Sequence, residues 1–215
     1  SETMRPMKPF IEAGLPVLSV AYRNDPGQPR DPSGYYRFGF TEWEDLEGAV
    51  RYAKDHGAAG VTLFGMSTGG AIAVSFMEES ELASEVKGLG FDSPNLDFGA
   101  AISQEASERT LPGLGLPIPK SLVGAAKAIA ELRYDIEFDD LDYISEAGEL
   151  EVPMLVLHGI ADKTIPVQVT RRLAETAGPN LRVVEFSEAG HVRSWNVDPA
   201  RYEQEISRFI STATG

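Results

Sequence analysis

The stretch TLFGMSTGGAIAV (residues 62–74) predicts a β-strand that turns sharply into a helix, with Ser67 at the turn. A turn this tight forces an uncommon backbone conformation on the serine and lifts its hydroxyl above the carboxyl edge of a sheet. Gly65 and Gly69 stand two residues before and two after Ser67, where we expect a Cβ to collide. The backbone N–H of Thr68 begins the helix and is directed toward negative charge that develops beside the serine. The stretch therefore predicts a nucleophilic serine.

Strand-like and helix-like segments alternate on both sides of this turn, which favours an α/β fold with a mostly parallel sheet and flanking helices. Thr41 and Glu44 have capping-box spacing and predict the start of a helix. We expect residues 1–215 to form a single domain. The predicted strands are LPVLSVAY (15–22), AGVTLF (59–64), 86–94, 152–159 and 181–186, and further predicted helices are Thr68 to Met77, Pro166 to Ala177 and one from Pro199 onward.

Residues 95–150 interrupt this alternation, because they are far longer than an ordinary crossover between strands. They contain the apolar, proline-punctuated LPGLGLPIPKSLVGAAKAIAEL (111–132) and then the acidic YDIEFDDLDYISEAGELE (134–151). We interpret 95–150 as an inserted helical lid whose charges form a solvated face.

Composition narrows the classes of partner. The 215 residues include 33 acidic and 19 basic side chains and no cysteine, for a formal net charge of −14. This charge repels phosphate backbones and anionic lipid surfaces, so nucleic-acid binding is disfavoured and no membrane partner is indicated. No apolar run has the length of a membrane span, and the first residues lack the pattern of a signal peptide. We expect a cytoplasmic protein.

A nucleophilic serine needs a base and an acid that orients the base. His191 follows the last predicted strand, at the sheet edge where α/β proteins gather their sites, and we take it as the base. His56 and His158 are predicted to be structural. For the acid we favour Asp162, in HGIAD (158–162), over Asp92, which also follows a strand but is interpreted as a turn residue.

The pieces GMSTGG (65–70), HGIAD and AGH (189–191) occur in this order, each after its own predicted strand. Together they resemble the α/β-hydrolase superfamily, from about Leu15 to Phe209, and are similar to its esterase-like and prolyl-oligopeptidase-like branches. The resemblance implies a serine hydrolase that cleaves an acyl bond, a carboxylic ester above all. The alternatives are a serine peptidase of the prolyl-oligopeptidase type, an acyltransferase, and a non-catalytic binding module on the same fold.

In this family a second oxyanion donor lies in the loop after the third strand. Here the segment from Glu2 to Ala13 resembles the helix that follows that loop, and LPVLSVAY resembles the fourth strand. We therefore expect the N-terminal strands and the second donor to be missing from this chain. An N-terminal fragment of a longer protein would then complete the sheet, a hypothesis that direct pairing of VLSVA with VTLF would contradict.

The remaining expectations concern ligands. Met66 and Trp195 are candidate substrate contacts, and the expected partner is a small-molecule acyl substrate. We expect no cofactor and no metal, because three scattered histidines lack ligand spacing and GMSTGG lacks the lysine of a P-loop.

Overall fold

A sheet of four parallel strands lies at the centre of this computed structural model, which describes residues 4–134 and 136–214. The strands follow one another across the sheet in the order β1-β2-β3-β4. They are β1 (Val61–Met66), β2 (Val86–Asp92), β3 (Met154–Gly159) and β4 (Leu181–Phe186). The predicted α/β fold with a parallel sheet is confirmed.

Helices cover both faces of this sheet. In chain order they are α1 (Met7–Glu12), α2 (Trp43–Asp55), α3 (Thr68–Glu79), α4 (Phe98–Ser107), α5 (Lys120–Tyr134), α6 (Ile144–Glu149), α7 (Val167–Thr176), α8 (Ser194–Val197) and α9 (Pro199–Thr214). Among the described residues, no helix is long and apolar enough to span a bilayer.

The two faces of β3 illustrate how the core is divided. Met154 and Val156 pack into the apolar cluster that includes α2, α3 and α7. Leu155 and Leu157 alternate with them and pack into a second cluster, with Tyr202 of α9. All six residues of β3 are buried, as expected for a central parallel strand with helices on both sides.

The segment 95–150 is largely helical and contains α4, α5 and α6. Helices α4 and α5 enclose an apolar cleft of about 360 Å³. No residue of α5 is buried, and Ile129 and Leu132 of this helix are exposed. The helical content is as expected, while a lid function stays a prediction.

The predicted strand at 15–22 is wrong. These residues have no regular secondary structure, and Val17 and Leu18 are exposed. An extended segment becomes a strand only when a neighbour accepts its ladder of hydrogen bonds. Within the described residues β1 pairs with β2 alone, and 15–22 pairs with no strand. The direct pairing that would have contradicted the missing-fragment hypothesis is thus not seen, and the fragment stays a prediction.

The predicted cap of α2 is also wrong, although the helix exists. Thr41 Oγ1 donates a hydrogen bond to Asp31 Oδ2 at 2.9 Å, so it does not cap the helix. Glu42 precedes α2 instead, and its carboxylate accepts hydrogen bonds from the backbone N–H groups of Arg37 and Gly39. Similarly, α1 begins only at Met7, after Pro6, whereas the predicted start at Glu2 lies outside the described residues.

Candidate active site

Ser67 occupies the turn between β1 and α3. Its φ of 51° and ψ of −120° place it in a conformation that non-glycine residues rarely adopt. The backbone holds this turn in place: the Ser67 N–H donates to the Asp92 carbonyl at 3.1 Å, and the Ser67 carbonyl accepts from the Asn95 N–H at 3.0 Å. The end of β2 therefore fixes the height of the serine above the sheet.

The steric expectation holds for only one of the two flanking glycines. A Cβ on Gly65 would overlap the Gly69 carbonyl and lie 2.7 Å from the Gly70 nitrogen. A Cβ on Gly69, by contrast, would meet only the Tyr22 hydroxyl at 3.6 Å, an ordinary contact. The collision predicted at Gly69 is wrong. Gly70 is the second crowded position, because its Cβ would lie 2.6 Å from Pro94 Cβ.

The structure brings Ser67, His191 and Asp162 into one hydrogen-bonded line. His191 Nε2 lies 2.9 Å from Ser67 Oγ, and His191 Nδ1 lies 2.8 Å from Asp162 Oδ2. A carboxylate oxygen only accepts, so Nδ1 carries the proton and Nε2 is free to accept from the serine hydroxyl. These are the contacts that general-base activation of a serine requires.

Asp162 is locked in its loop by backbone groups. Its Oδ1 accepts hydrogen bonds from the N–H groups of Thr164 and Ile165, both at 2.9 Å. Burial by itself raises the pKa of this carboxyl, but the hydrogen bonds from His158, His191 and Ile165 outweigh burial and hold its pKa well below the ordinary value. Asp162 thus stays an anion against the imidazole over the whole neutral range.

His158 supports Asp162 from beneath. The ring is completely buried, as predicted, and its Nε2 donates to the Ile165 carbonyl at 3.1 Å. Because Nε2 carries the proton, Nδ1 accepts from the Thr170 hydroxyl at 2.6 Å. Nε2 also lies 3.5 Å from Asp162 Oδ2. The sequence does not indicate Thr170, because no motif in α7 marks this buried threonine as a partner of the loop.

Asp92, the competing acid, faces a different residue. Its Oδ2 accepts a hydrogen bond from the Tyr202 hydroxyl at 3.0 Å, and the side chain is fully buried. Burial raises the pKa of Asp92 to about 6, against the lowering effect of that hydrogen bond. Burial also raises the pKa of Tyr202. The interpretation of Asp92 as a turn residue is wrong, because it ends β2 and bonds to α9.

The other candidate residues are not part of this hydrogen-bonded line. Thr68 is the first residue of α3, and the helical ladder leaves its N–H without an acceptor of its own. Met66 ends β1 beside Asp92 and is partly buried. Trp195 packs against the α9 cluster and donates from Nε1 to Glu203 at 3.1 Å. This position favours the packing interpretation of Trp195 over substrate contact.

His56 follows directly after α2, and its Nδ1 lies 2.7 Å from the Tyr52 carbonyl while its ring stacks on Tyr52. These contacts join His56 to α2 and not to Ser67, His191 or Asp162. Within the described residues, no three histidine or acidic side chains are grouped as metal ligands would be.

Known structures share this architecture. An esterase from Pyrococcus furiosus superposes over 100% of this chain and 78% of its own, with a TM-score of 0.73 and 20% identity. The protein has the α/β-hydrolase fold. A bromoperoxidase from Bacillus anthracis (TM-score 0.63, 15% identity, covering 98% of this chain and 87% of that one) is also similar. A serine hydrolase homologue from Coxiella burnetii is similar as well, with a TM-score of 0.60 and 18% identity, covering 96% of this chain and 74% of that one. No protein-family model matches the sequence.

Proposed function

We propose that this α/β-hydrolase-fold protein is a serine hydrolase that cleaves an acyl bond, a carboxylic ester, through an acyl-enzyme. The observation that carries the proposal is the line Asp162–His191–Ser67, with hydrogen bonds of 2.8 and 2.9 Å. The similar structures of an esterase and a serine hydrolase homologue support it through their fold. The chain order Ser67, Asp162, His191 is that of catalytic triads on this fold.

Each residue of the line has a distinct role in the proposed reaction. Ser67 Oγ attacks the carbonyl carbon while His191 Nε2 takes the hydroxyl proton. When the tetrahedral intermediate collapses, His191 gives that proton to the leaving oxygen, and the acyl group remains on Ser67. Water then attacks the acyl-enzyme with His191 again as base. Asp162 holds the imidazole tautomer and stabilises its charged form.

The oxyanion of the intermediate is assigned to the Thr68 N–H at the start of α3, where the helix dipole favours negative charge. We propose that the second hydrogen-bond donor to the oxyanion is a backbone N–H from a segment outside this sequence. Loss of one oxyanion donor costs about 3 kcal/mol of transition-state stabilisation in a well-studied protease. A slow but measurable reaction is therefore compatible with the proposal.

Fluorophosphonate labelling with peptide mapping tests the proposal. We expect covalent label on Ser67, and loss of at least about 10⁴-fold in labelling rate in Ser67→Ala and His191→Ala. His56→Ala is the matched control, because its ring contacts Tyr52 rather than the serine line. Label on another serine, or equal labelling of His191→Ala and His56→Ala, would overturn the proposal.

Substrate panels then separate the alternatives. Turnover of small aryl esters but not of dipeptide anilides supports the esterase, and the reverse result supports a peptidase. Ester formation with an added alcohol identifies an acyltransferase. A ligand-induced rise in melting temperature without labelling or turnover identifies a binding module.

We also keep as a proposal that a further polypeptide segment pairs with the outer edge of β1. Within the described residues this edge has no neighbouring strand. Intact-mass analysis of the labelled sample would reveal such a segment as a second polypeptide. A fully active sample that contains only the 215-residue chain would contradict this proposal.

A further inference from the structure

The residue that follows His191 is held in an uncommon conformation. Val192 has a φ of 52°, which is rare for a branched side chain, and it is buried. Both of its backbone polar groups are bound by side chains from distant parts of the chain. The Val192 N–H donates to Ser93 Oγ at 3.2 Å, and the Val192 carbonyl accepts from Arg5 Nη1 at 2.6 Å.

These two hydrogen bonds fix the peptide planes on either side of Val192. The plane that joins it to His191 carries the N–H bound by Ser93, and the next plane carries the carbonyl bound by Arg5. A residue with a positive φ stays in that conformation only when its surroundings hold it there. The direction in which the His191 ring leaves the backbone therefore depends on both contacts.

Both holding residues are themselves anchored. Ser93 is buried with a φ of 49°, and its N–H donates to the Leu157 carbonyl of β3 at 2.9 Å. Arg5 lies just before α1, and this helix packs against α9. Its guanidinium makes a charge-assisted hydrogen bond, which is stronger than a neutral one. Ser93 thus ties the histidine loop to the sheet, and Arg5 ties it to the helical layer.

We propose that Arg5 and Ser93 are positioning residues, which hold the His191 loop so that Nε2 stays within hydrogen-bonding distance of Ser67. The proposal rests on the proposed function, because it assigns these residues a role in the same reaction. Neither residue touches the reacting atoms. They act through the backbone of Val192, and a displacement of the base by about 1 Å can lower a rate by up to 100-fold.

Steady-state kinetics of Arg5→Ala provide the first test. We expect kcat to fall between about 10-fold and 100-fold while KM stays unchanged, since substrate contacts are left in place. Lys8→Ala is the matched control, because Lys8 joins α1 to α9 through Glu203 without touching the loop, and we expect it to match the wild type. Arg5→Lys, which keeps a charged donor, should recover part of the rate. Ser93→Ala should lower kcat in the same way.

Proton NMR of the His191 ring supplies a readout that does not require turnover. The Nδ1 proton shared with Asp162 gives a resonance at low field, which we expect in the wild type and in Lys8→Ala. In Arg5→Ala it should broaden or exchange faster with solvent, while the melting temperature stays close to that of Lys8→Ala. Wild-type kcat together with an unchanged resonance in Arg5→Ala would overturn the positioning role. A wild type that neither turns over ester nor reacts with fluorophosphonate would overturn the proposed function. The Nδ1 resonance of His191 would then be the only test of whether Arg5 holds the loop.

Discussion

Three non-glycine residues with positive φ surround the histidine–serine contact: Ser67 at 51°, Ser93 at 49° and Val192 at 52°. Each such conformation costs of the order of 1–3 kcal/mol and persists only where the surrounding structure enforces it. Here the enforcing contacts are backbone hydrogen bonds at Ser67, and side-chain hydrogen bonds at Val192. Strain of this kind, concentrated at one place, fits a preorganised site.

The glycines beside Ser67 give a prediction about stability. Gly65→Ala should lower the free energy of unfolding by about 3 kcal/mol or more, because the new methyl group meets the Gly69 backbone. Gly69→Ala should change it by no more than about 1 kcal/mol, and helix propensity favours a gain. Urea unfolding of the two purified variants measures both values. Equal losses in the two variants would show that the steric account is wrong.

Asp92 gives a prediction about pH. Its pKa in the folded protein is raised from 3.8 to about 6, so between these values the folded state binds more protons than the unfolded state. Raising the pH through this window therefore lowers the free energy of unfolding, by up to about 3 kcal/mol from this group. Asp92→Asn does not titrate, so its stability relative to the wild type should increase by that amount from pH 4 to pH 7.

Urea unfolding at several pH values tests this expectation. Tyr202→Phe removes the hydrogen bond that lowers the pKa of Asp92, so its window should extend to higher pH than in the wild type. Parallel pH dependence in the wild type and Asp92→Asn would refute the assignment of a raised pKa to this carboxyl.

At the scale of elements, helix α5 of the insertion is less buried than the helices that pack on the sheet. Seven residues of α3 are buried, whereas no residue of α5 is. Arg172 of α7 pairs with two acidic residues of the insertion, with Nη1 2.5 Å from Asp97 Oδ2 and Nη2 3.0 Å from Asp142 Oδ2. Asp97 precedes α4, and Asp142 precedes α6, so one side chain on α7 joins the segments before and after α4 and α5.

This arrangement predicts a local effect of Arg172→Ala. Because the arginine is half-exposed, global stability should fall by no more than about 1 kcal/mol. Amide hydrogen exchange in α4 and α5 should nevertheless become faster, while exchange in β2 and β3 stays unchanged. Mass-spectrometric exchange measures this difference. Arg171→Ala is the control, because the neighbouring Arg171 pairs with Glu185 of β4, and its exchange in α4 and α5 should match the wild type.

Elements were predictable where local pattern and tertiary context agree. The strand at 181–186 and the helix from Pro199 onward were both predicted from the local sequence and are both present. The strand at 15–22 and the cap at Thr41 have equally good local patterns, yet both fail. Each depends on a partner that the local sequence does not contain: a neighbouring strand in one case, and Asp31 in competition for the hydroxyl in the other.

At the scale of the whole molecule, the candidate site could be predicted because its residues follow strands. Carboxyl ends of parallel strands lie at one edge of a sheet, so Ser67, Asp162 and His191 were expected together, and the structure places them within hydrogen-bonding distance. The support around them could not be predicted. Helix packing brings Thr170 to His158 and Arg5 to Val192, and no local sequence motif predicts either contact.

The contact between Arg5 and Val192 has a consequence for how the protein is made. The two residues are 187 positions apart, so a ribosome releases Arg5 long before its acceptor carbonyl exists. Helices α1 and α9, which pack together beside this contact, likewise come from opposite ends of the sequence. A nascent chain that already carries Ser67 and Asp162 therefore still lacks a held base. If the chain has the proposed function, hydrolysis should rise to its full rate only once α9 has been made, and chains cut short within α9 should be slower than the full chain.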